Sequence, residues 1–250
     1  MRDSDRPEIR GLPLFRDMAE AHFDSLMQAA YAQVFPAQLD LIAEGDRADF
    51  LHVVVEGLVE LYAGWREGEA TMATVRPVET FILAACIRDA PYLMSARTME
   101  KSRIILIPAR DLREAFARDT AFAHAIVNEL ARSYRTTVRH AKNLKLRTSR
   151  ERLAAYLLRQ SQREGGAPGF GLRFEKRVLA SYLGMTAENL SRAFKALHSA
   201  GVKVDGHRII ITDPAALIEL AGPDELLDGP RAGGASVVPL RRRNTEPTDR

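Results

Sequence analysis

The sequence predicts an α+β fold in three parts: a small antiparallel β-roll, a long helix, and a compact helix-turn-helix with a β-wing. Three patterns predict it. Short apolar runs punctuated by glycine fill residues 39–109, apolar residues recur every seven positions over residues 127–144, and two short helical patterns flank Gly184. The 250 residues are 46% hydrophobic and 28% charged, ordinary globular values that allow a buried core. The expected division is residues 1–120 for the roll with its leading helices, 121–148 for the long helix, 149–221 for the winged unit and 222–250 for a structureless tail.

Ahead of the roll, Phe15, Met18, Phe23, Leu26 and Met27 recur at helical spacing. The runs at 39–43, 50–56, 58–63, 71–75, 80–87 and 104–108 are rich in Val, Ile, Phe and Tyr. Gly45-Asp46, Gly57 and Gly64 separate them, which reads as short strands. After Asp111 the period changes. Val127, Tyr134 and Ala141 form one row at heptad spacing, and Leu130, Thr137 and Leu144 a second row offset by three. Such a seam pairs two copies of a helix in a homodimer. A single amphipathic helix packed on its own roll is the alternative, which the polar Thr137 keeps open. Arg132, Arg135, Arg139, Lys142, Lys145 and Arg147 flank the seam and are expected to make its exposed side cationic.

A further helix is expected at 151–162, with Leu153, Ala154, Leu157 and Leu158 inward and a glycine-proline loop at 165–169 ending it. Val178, Leu179 and Leu183 give a short helix, after which Gly184 supplies a left-handed residue for a sharp turn. Thr186 caps a second helix, Glu188 suits its amino-terminal dipole, and Leu190, Ala193, Phe194 and Leu197 form its buried stripe. This is a helix-turn-helix. The apolar segments at 202–204 and 208–212, joined through Asp205-Gly206, add a hairpin with His207 and Arg208 at its tip.

Charge is unevenly spread along the chain. Residues 121–212 hold 17 Lys and Arg against 6 Asp and Glu, a balance of +11, which leaves 19 against 27, or −8, for the rest. A basic half of this kind meets a polyanion or presents a solvated face. The second helix turns Ala187, Glu188, Ser191, Arg192 and Lys195 away from its apolar stripe. In a major groove, Arg bonds guanine O6 and N7, and Glu accepts from cytosine N4. Glu188, Ser191 and Arg192 are therefore the expected base readers of double-stranded DNA. Lys176, Arg177, Thr186, Lys195, Lys203 and Arg208 are the expected phosphate contacts. The four-residue spacing of Glu188 and Arg192 also fits an exposed ion pair with no reading role.

The order roll, long helix, winged helix-turn-helix resembles the CRP/FNR superfamily of bacterial transcription regulators, from Leu12 to about Leu220. The segment LIAEGDRADFLHVVVEGLVELY, residues 41–62, resembles that family's cyclic-nucleotide-binding roll with its spaced glycines. Glu188, Ser191 and Arg192 resemble the Glu-x-x-Ser-Arg of the FNR-type branch, and Ala187 stands where the CRP branch has Arg. The resemblance implies a homodimer on a palindrome with TTGA-type half-sites, and RNA polymerase as a partner.

Departures from the family bear on the effector. Cyclic-AMP-binding relatives carry Phe-x-Gly-Glu-Leu for the ribose, whereas here Phe81 and Ile82 precede Leu83, Ala84 and Ala85. The residues from Tyr92 to Ser95 stand where the cyclic phosphate's Arg belongs, and Arg97-Thr98 lies close to the last strand. An unpaired buried phosphate costs several kcal/mol, so cyclic AMP is not expected. The iron-sulfur switch of FNR-type relatives needs four thiolates and the chain has Cys86 alone. An apolar effector pocket is expected around Phe81, Leu83, Cys86, Tyr92 and Met94. It would suit haem, with Cys86, His52, His124 and Met94 as axial candidates, or a redox input through Cys86, or no ligand.

Two rivals remain: a cyclic-nucleotide-responsive regulator and a ligand-binding roll that does not read DNA. Catalysis is not expected, since His52 has no second roll histidine to complete a metal site and no Gly-x-Ser-x-Gly, phosphate-loop or Gly-x-Gly-x-x-Gly motif is present. With no secretory signal at residues 1–10 and no apolar stretch of about 18 residues, the expected location is cytoplasmic, without membrane contact.

Overall fold

The computed structural model describes residues 5–66, 68–172 and 175–228. Helices α1 (Asp5–Arg10) and α2 (Glu20–Ala29) lead into a roll built of β1 (Tyr31–Phe35), β2 (Asp40–Ile42), β3 (Phe50–Glu56), β4 (Val59–Trp65), β5 (Gly68–Val75) and β6 (Glu79–Phe81). Helix α3 (Leu83–Arg88), β7 (Ser95–Thr98) and β8 (Ser102–Pro108) complete it. Two antiparallel sheets face each other, ordered β1-β8-β3-β6 and β2-β7-β4-β5. Strand β3 is buried from Leu51 to Val55 on both its faces, which explains its unbroken apolar run. One face meets the roll interior, and helix α4 (Ala109–Arg118) and α3 lie near the other.

Helix α5 (Thr120–Leu146) is launched by Asp119, whose carboxylate accepts from the Phe122 amide at 2.9 Å, the Ala19 amide at 2.9 Å and His22 Nδ1 at 3.0 Å. One side chain thereby caps α5 and ties it to α2. Beneath it, the rings of Phe15 and Phe122 stack at 5.8 Å. The winged unit follows: α6 (Ser149–Arg163), β9 (Gly169–Gly171), α7 (Lys176–Tyr182), α8 (Ala187–Leu197), β10 (Val202–Asp205), β11 (Arg208–Ile211), α9 (Pro214–Ala221) and α10 (Glu225–Asp228). Thr148 and Glu151 close a reciprocal capping box on α6. The wing is a three-stranded sheet, β10-β11-β9, around a second apolar core.

The two cores meet. Leu58, on the turn between β3 and β4, is buried in the winged unit's apolar cluster, and Met99 packs against it. The Thr71 amide of β5 donates to Ser181 Oγ of α7 at 2.7 Å.

Several expectations need correction. The run at 80–87 is not a strand: β6 ends at Phe81, Ile82 turns at φ 67°, and the helix formers Leu83, Ala84 and Ala85 open α3. Strands β1, β7 and β9 were not expected, because their short and partly polar sequences become strands only by pairing with β8, β4 and β11. The hairpin turn is Gly206-His207, with Asp205 paired to Arg208 and Gly206 at φ 56°. The expected tail begins as ordered chain, with α10 held to the rest by Asp228, whereas residues 229–250 lie outside the described residues. Among the described residues no helix is long and apolar enough to cross a membrane.

Candidate nucleic-acid interface

The turn between α7 and α8 is set by Gly184 at φ 64°, a conformation that glycine adopts at no steric cost. A Cβ there would come within 2.6 Å of Leu144 Cδ2, so the turn is also pressed against the end of α5. Two residues on, the Thr186 hydroxyl accepts from the Asn189 amide at 3.2 Å and caps α8. Leu190, Ala193, Phe194 and Leu197 are buried as the spacing requires. The opposite face is therefore in solvent.

On that face Glu188 and Arg192 are 75% and 69% exposed and bonded to each other. The exposed ion pair weighed on sequence grounds is thus the geometry observed. Ser191 Oγ donates to the Ala187 carbonyl at 3.0 Å, a bond that a base edge can replace. Lys195, Lys203 and Arg208 are exposed around it. Lys176 Nζ rests 5.9 Å over the Phe194 ring, and the Arg208 guanidinium runs beside Gly169. Arg177 and His207 line a groove of about 440 Å³ between the wing and the roll, facing Glu60, Arg97 and Glu100.

The seam on α5 divides. Val127, Tyr134, Thr137 and Ala141 are exposed, Tyr134 by 70%, with Val138 added to the same face although the spacing argument missed it. Leu130 packs instead against the roll core, and Leu144, 36% exposed, borders Gly184. Thr137 satisfies its hydroxyl on the Ser133 carbonyl at 3.0 Å, which lets a polar residue sit in the row. Arg147 is not on the solvated flank: its side chain is 6% exposed, at the joint between α5 and α6.

That joint is a site the sequence reading did not find. Arg147 Nη1 and Nη2 donate to the two carboxylate oxygens of Asp228, each at 2.8 Å, and Arg159 Nη1 adds a third bond at 2.9 Å. Burial raises the Asp228 carboxyl, and the Arg147, Asp224 and Arg159 groups outweigh that and hold it below the ordinary range. Among the described residues no carboxylate pairs with Arg152; its guanidinium donates to the carbonyls of Leu183 at 2.8 Å, Arg147 at 2.7 Å, and Leu144 and Gly184 at 3.2 Å. Desolvation lowers its pKa accordingly.

In the roll, Phe81, Leu83, Cys86 and Tyr92 are buried and Met94 half-buried. Burial pushes the thiol of Cys86 and the phenol of Tyr92 up to about 12, so Cys86 is a protonated core residue and a poor thiolate ligand or redox centre. The ring of His52 stacks 4.8 Å from that of Phe81, its Nδ1 has no hydrogen-bond partner, and burial lowers its pKa to about 4. His124 lies apart, on an open groove of about 470 Å³ beside Pro13 and Arg16. Arg97 points to the face of β7 opposite the buried Ala96, where Glu60 at 2.8 Å and Glu69 at 3.2 Å engage it. Among the described residues no group of three or more His, Cys, Asp or Glu is placed to hold a metal ion.

Two family models match the chain: a Crp-like helix-turn-helix domain over residues 151–220 and a cyclic nucleotide-binding domain over residues 32–119. The transcriptional activator protein FnrL of Cereibacter sphaeroides is 30% identical over 222 residues, covering 80% of this chain and 84% of that protein. A cyclic AMP receptor protein of Thermus thermophilus is 27% identical over 212 residues, covering 84% of this chain and 97% of its own length. The solved structure of FixK2 from Bradyrhizobium japonicum shares the fold at a TM-score of 0.68 and 24% identity, covering 76% of this chain and 96% of that one.

Proposed function

The chain belongs to the CRP/FNR superfamily of DNA-binding transcription regulators, and from that premise we propose that it binds as a homodimer to a palindrome with TTGA-type half-sites, read by Glu188, Ser191 and Arg192. The observation that carries this reading is the paired exposure of Glu188 and Arg192 one turn apart on the outward face of α8, immediately after the Gly184 turn. Among the described residues each side chain is bonded to the other alone, so DNA can take them without unfolding anything. Lys176, Arg177, Thr186, Lys195, Lys203 and Arg208 contact phosphates in this reading, and the affinity falls with rising salt because counterions released into a more concentrated solution gain less entropy. The exposed row Val127, Tyr134, Val138 and Ala141 supports pairing of α5 with a second copy, which sets two α8 helices about one duplex turn apart.

For the effector, engagement of Arg97 by two carboxylates supports a signal other than a cyclic nucleotide. The buried, protonated Cys86, the His52 ring stacked on Phe81 and the position of His124 on a separate groove favour an input that acts through packing of the roll over a haem or thiol switch. RNA polymerase is the partner that a regulator of this family would meet.

A competition gel shift tests the DNA reading. The wild type should prefer a TTGA-type palindrome over scrambled duplex. Arg192→Ala should lose that preference and keep weak, salt-sensitive binding to any duplex. Equal preference in the variant would remove Arg192 from base recognition.

A further inference from the structure

The geometry points to Asp228, beyond the winged unit, as a positioning residue that fixes the angle between α5 and the recognition helix α8. The inference rests on the reading of α8 as the DNA-contacting helix and α5 as the pairing helix. It follows from a continuous chain of polar contacts. Asp228 grips Arg147 through both carboxylate oxygens at 2.8 Å, and Arg147 Nη1 also bonds Asn143 Oδ1 in the last turns of α5 at 3.2 Å. Its other nitrogen bonds the Gly222 carbonyl at 3.0 Å, so the segment leaving α9 is pinned to the same joint. From the backbone of Arg147 the chain passes to Arg152, which collects the carbonyls of Leu144 and Arg147 on one side and of Leu183 and Gly184 on the other. Leu183 and Gly184 are the turn from which α8 starts. Leu144 closes the arrangement by packing on Gly184, and His140 of α5 lies 5.3 Å from Tyr182 of α7.

The joint between two helices is ordinarily the softest part of such an assembly, because a few backbone dihedrals there move a whole unit. Here a planar, bidentate Arg–carboxylate pair removes that freedom, since a guanidinium fork tolerates little rotation about its partner. Asp228 is itself held by the Asp224 amide at 3.0 Å and by Arg159, so α10 acts as a strap across the joint.

The test uses the full chain and its Asp228→Asn variant on palindromes with the preferred half-site spacing and with one base pair added or removed, together with hydrogen exchange at residues 143–152 and 183–186. The expected result is that the preference for one spacing falls about tenfold, the size of an ordinary coupling between sites, while affinity for a single half-site is kept and exchange at the joint quickens. Asp224→Ala is the milder second variant: it removes the cap that accepts from the Leu226 amide at 2.8 Å and the Leu227 amide at 3.0 Å, leaves Arg147 untouched, and should give the same change in smaller degree. Unchanged spacing preference and unchanged exchange overturn the proposal, as does a loss in Asp228→Asn through global unfolding with Asp224→Ala at wild-type values. If the wild type prefers no duplex at all, the DNA reading fails, and the exchange arm still decides whether the strap holds the joint.

Discussion

Two arginine–carboxylate pairs chosen from the second half of the molecule stand in opposite settings. Arg147 and Asp228 are 6% and 16% exposed, and further bonds to Arg159, Asn143 and a backbone carbonyl complete their shells. Arg192 and Glu188 are 69% and 75% exposed and hold each other alone at the surface. The chemistry is shared and the environment decides its use. A desolvated pair is costly to break because the survivor is left charged without water. A solvated pair is worth a few tenths of a kcal/mol, so its members can be handed to another partner at almost no loss. Charges that fix geometry are buried in this protein, and charges that can exchange partners stay wet.

The largest effect should come from breaking the buried pair. Arg147→Ala is expected to destabilise the fold by about 3 kcal/mol, read from urea unfolding, because Asp228 keeps only its bonds from Arg159 and the Asp224 amide and the Asn143 and Gly222 oxygens lose their donor. A cost under about 1 kcal/mol would mean that the joint does not depend on the pair.

His52 sharpens the contrast as a buried group with an unpartnered nitrogen. Its folded pKa is lowered from 6.5 to about 4, so the folded state refuses a proton that the unfolded chain accepts below 6.5. Stability should therefore be independent of this group above pH 6.5 and fall by about 3 kcal/mol as pH drops from 6.5 to 4. Denaturation midpoints across that window should show the slope, and His52→Phe should flatten it. A variant with the wild-type slope would assign the loss to other groups.

On the exposed side the effect moves from stability to binding. Arg192→Ala should cost about 1–3 kcal/mol in discrimination between target and scrambled duplex and leave unfolding unchanged within about 0.5 kcal/mol. Smallest of all, a double-mutant cycle of Glu188→Ala and Arg192→Ala without DNA should give a coupling of about 0.3–0.5 kcal/mol. A coupling above about 1.5 kcal/mol would place this pair with the buried one and end the comparison.

What could be read in the sequence was what is local. The cap at Thr186, the turn at Gly184 and the stripe from Leu190 to Leu197 lie within a dozen neighbours, and each obeys the rule that predicts it. The face of α5 was harder, since a heptad stripe admits two registers. Only the docking of Leu130 on the roll and of Leu144 on Gly184 turns Val127, Tyr134 and Val138 outward. The run at 80–87 failed because seven consecutive apolar residues, 81–87, suit either a short strand or a buried helix. The joint was invisible: Arg147 and Asp228 are 81 positions apart, and no local pattern links an arginine in a basic stretch to an aspartate in a proline-rich one.

Leu58 belongs by sequence to the roll and by packing to the winged unit. A side chain lodged in a neighbour's interior works as a dowel, and withdrawing it would open a void in one half and strand an oily surface on the other. Heat or proteolysis that loosens the turn between β3 and β4 should therefore disturb the winged unit directly, without first travelling the length of α5.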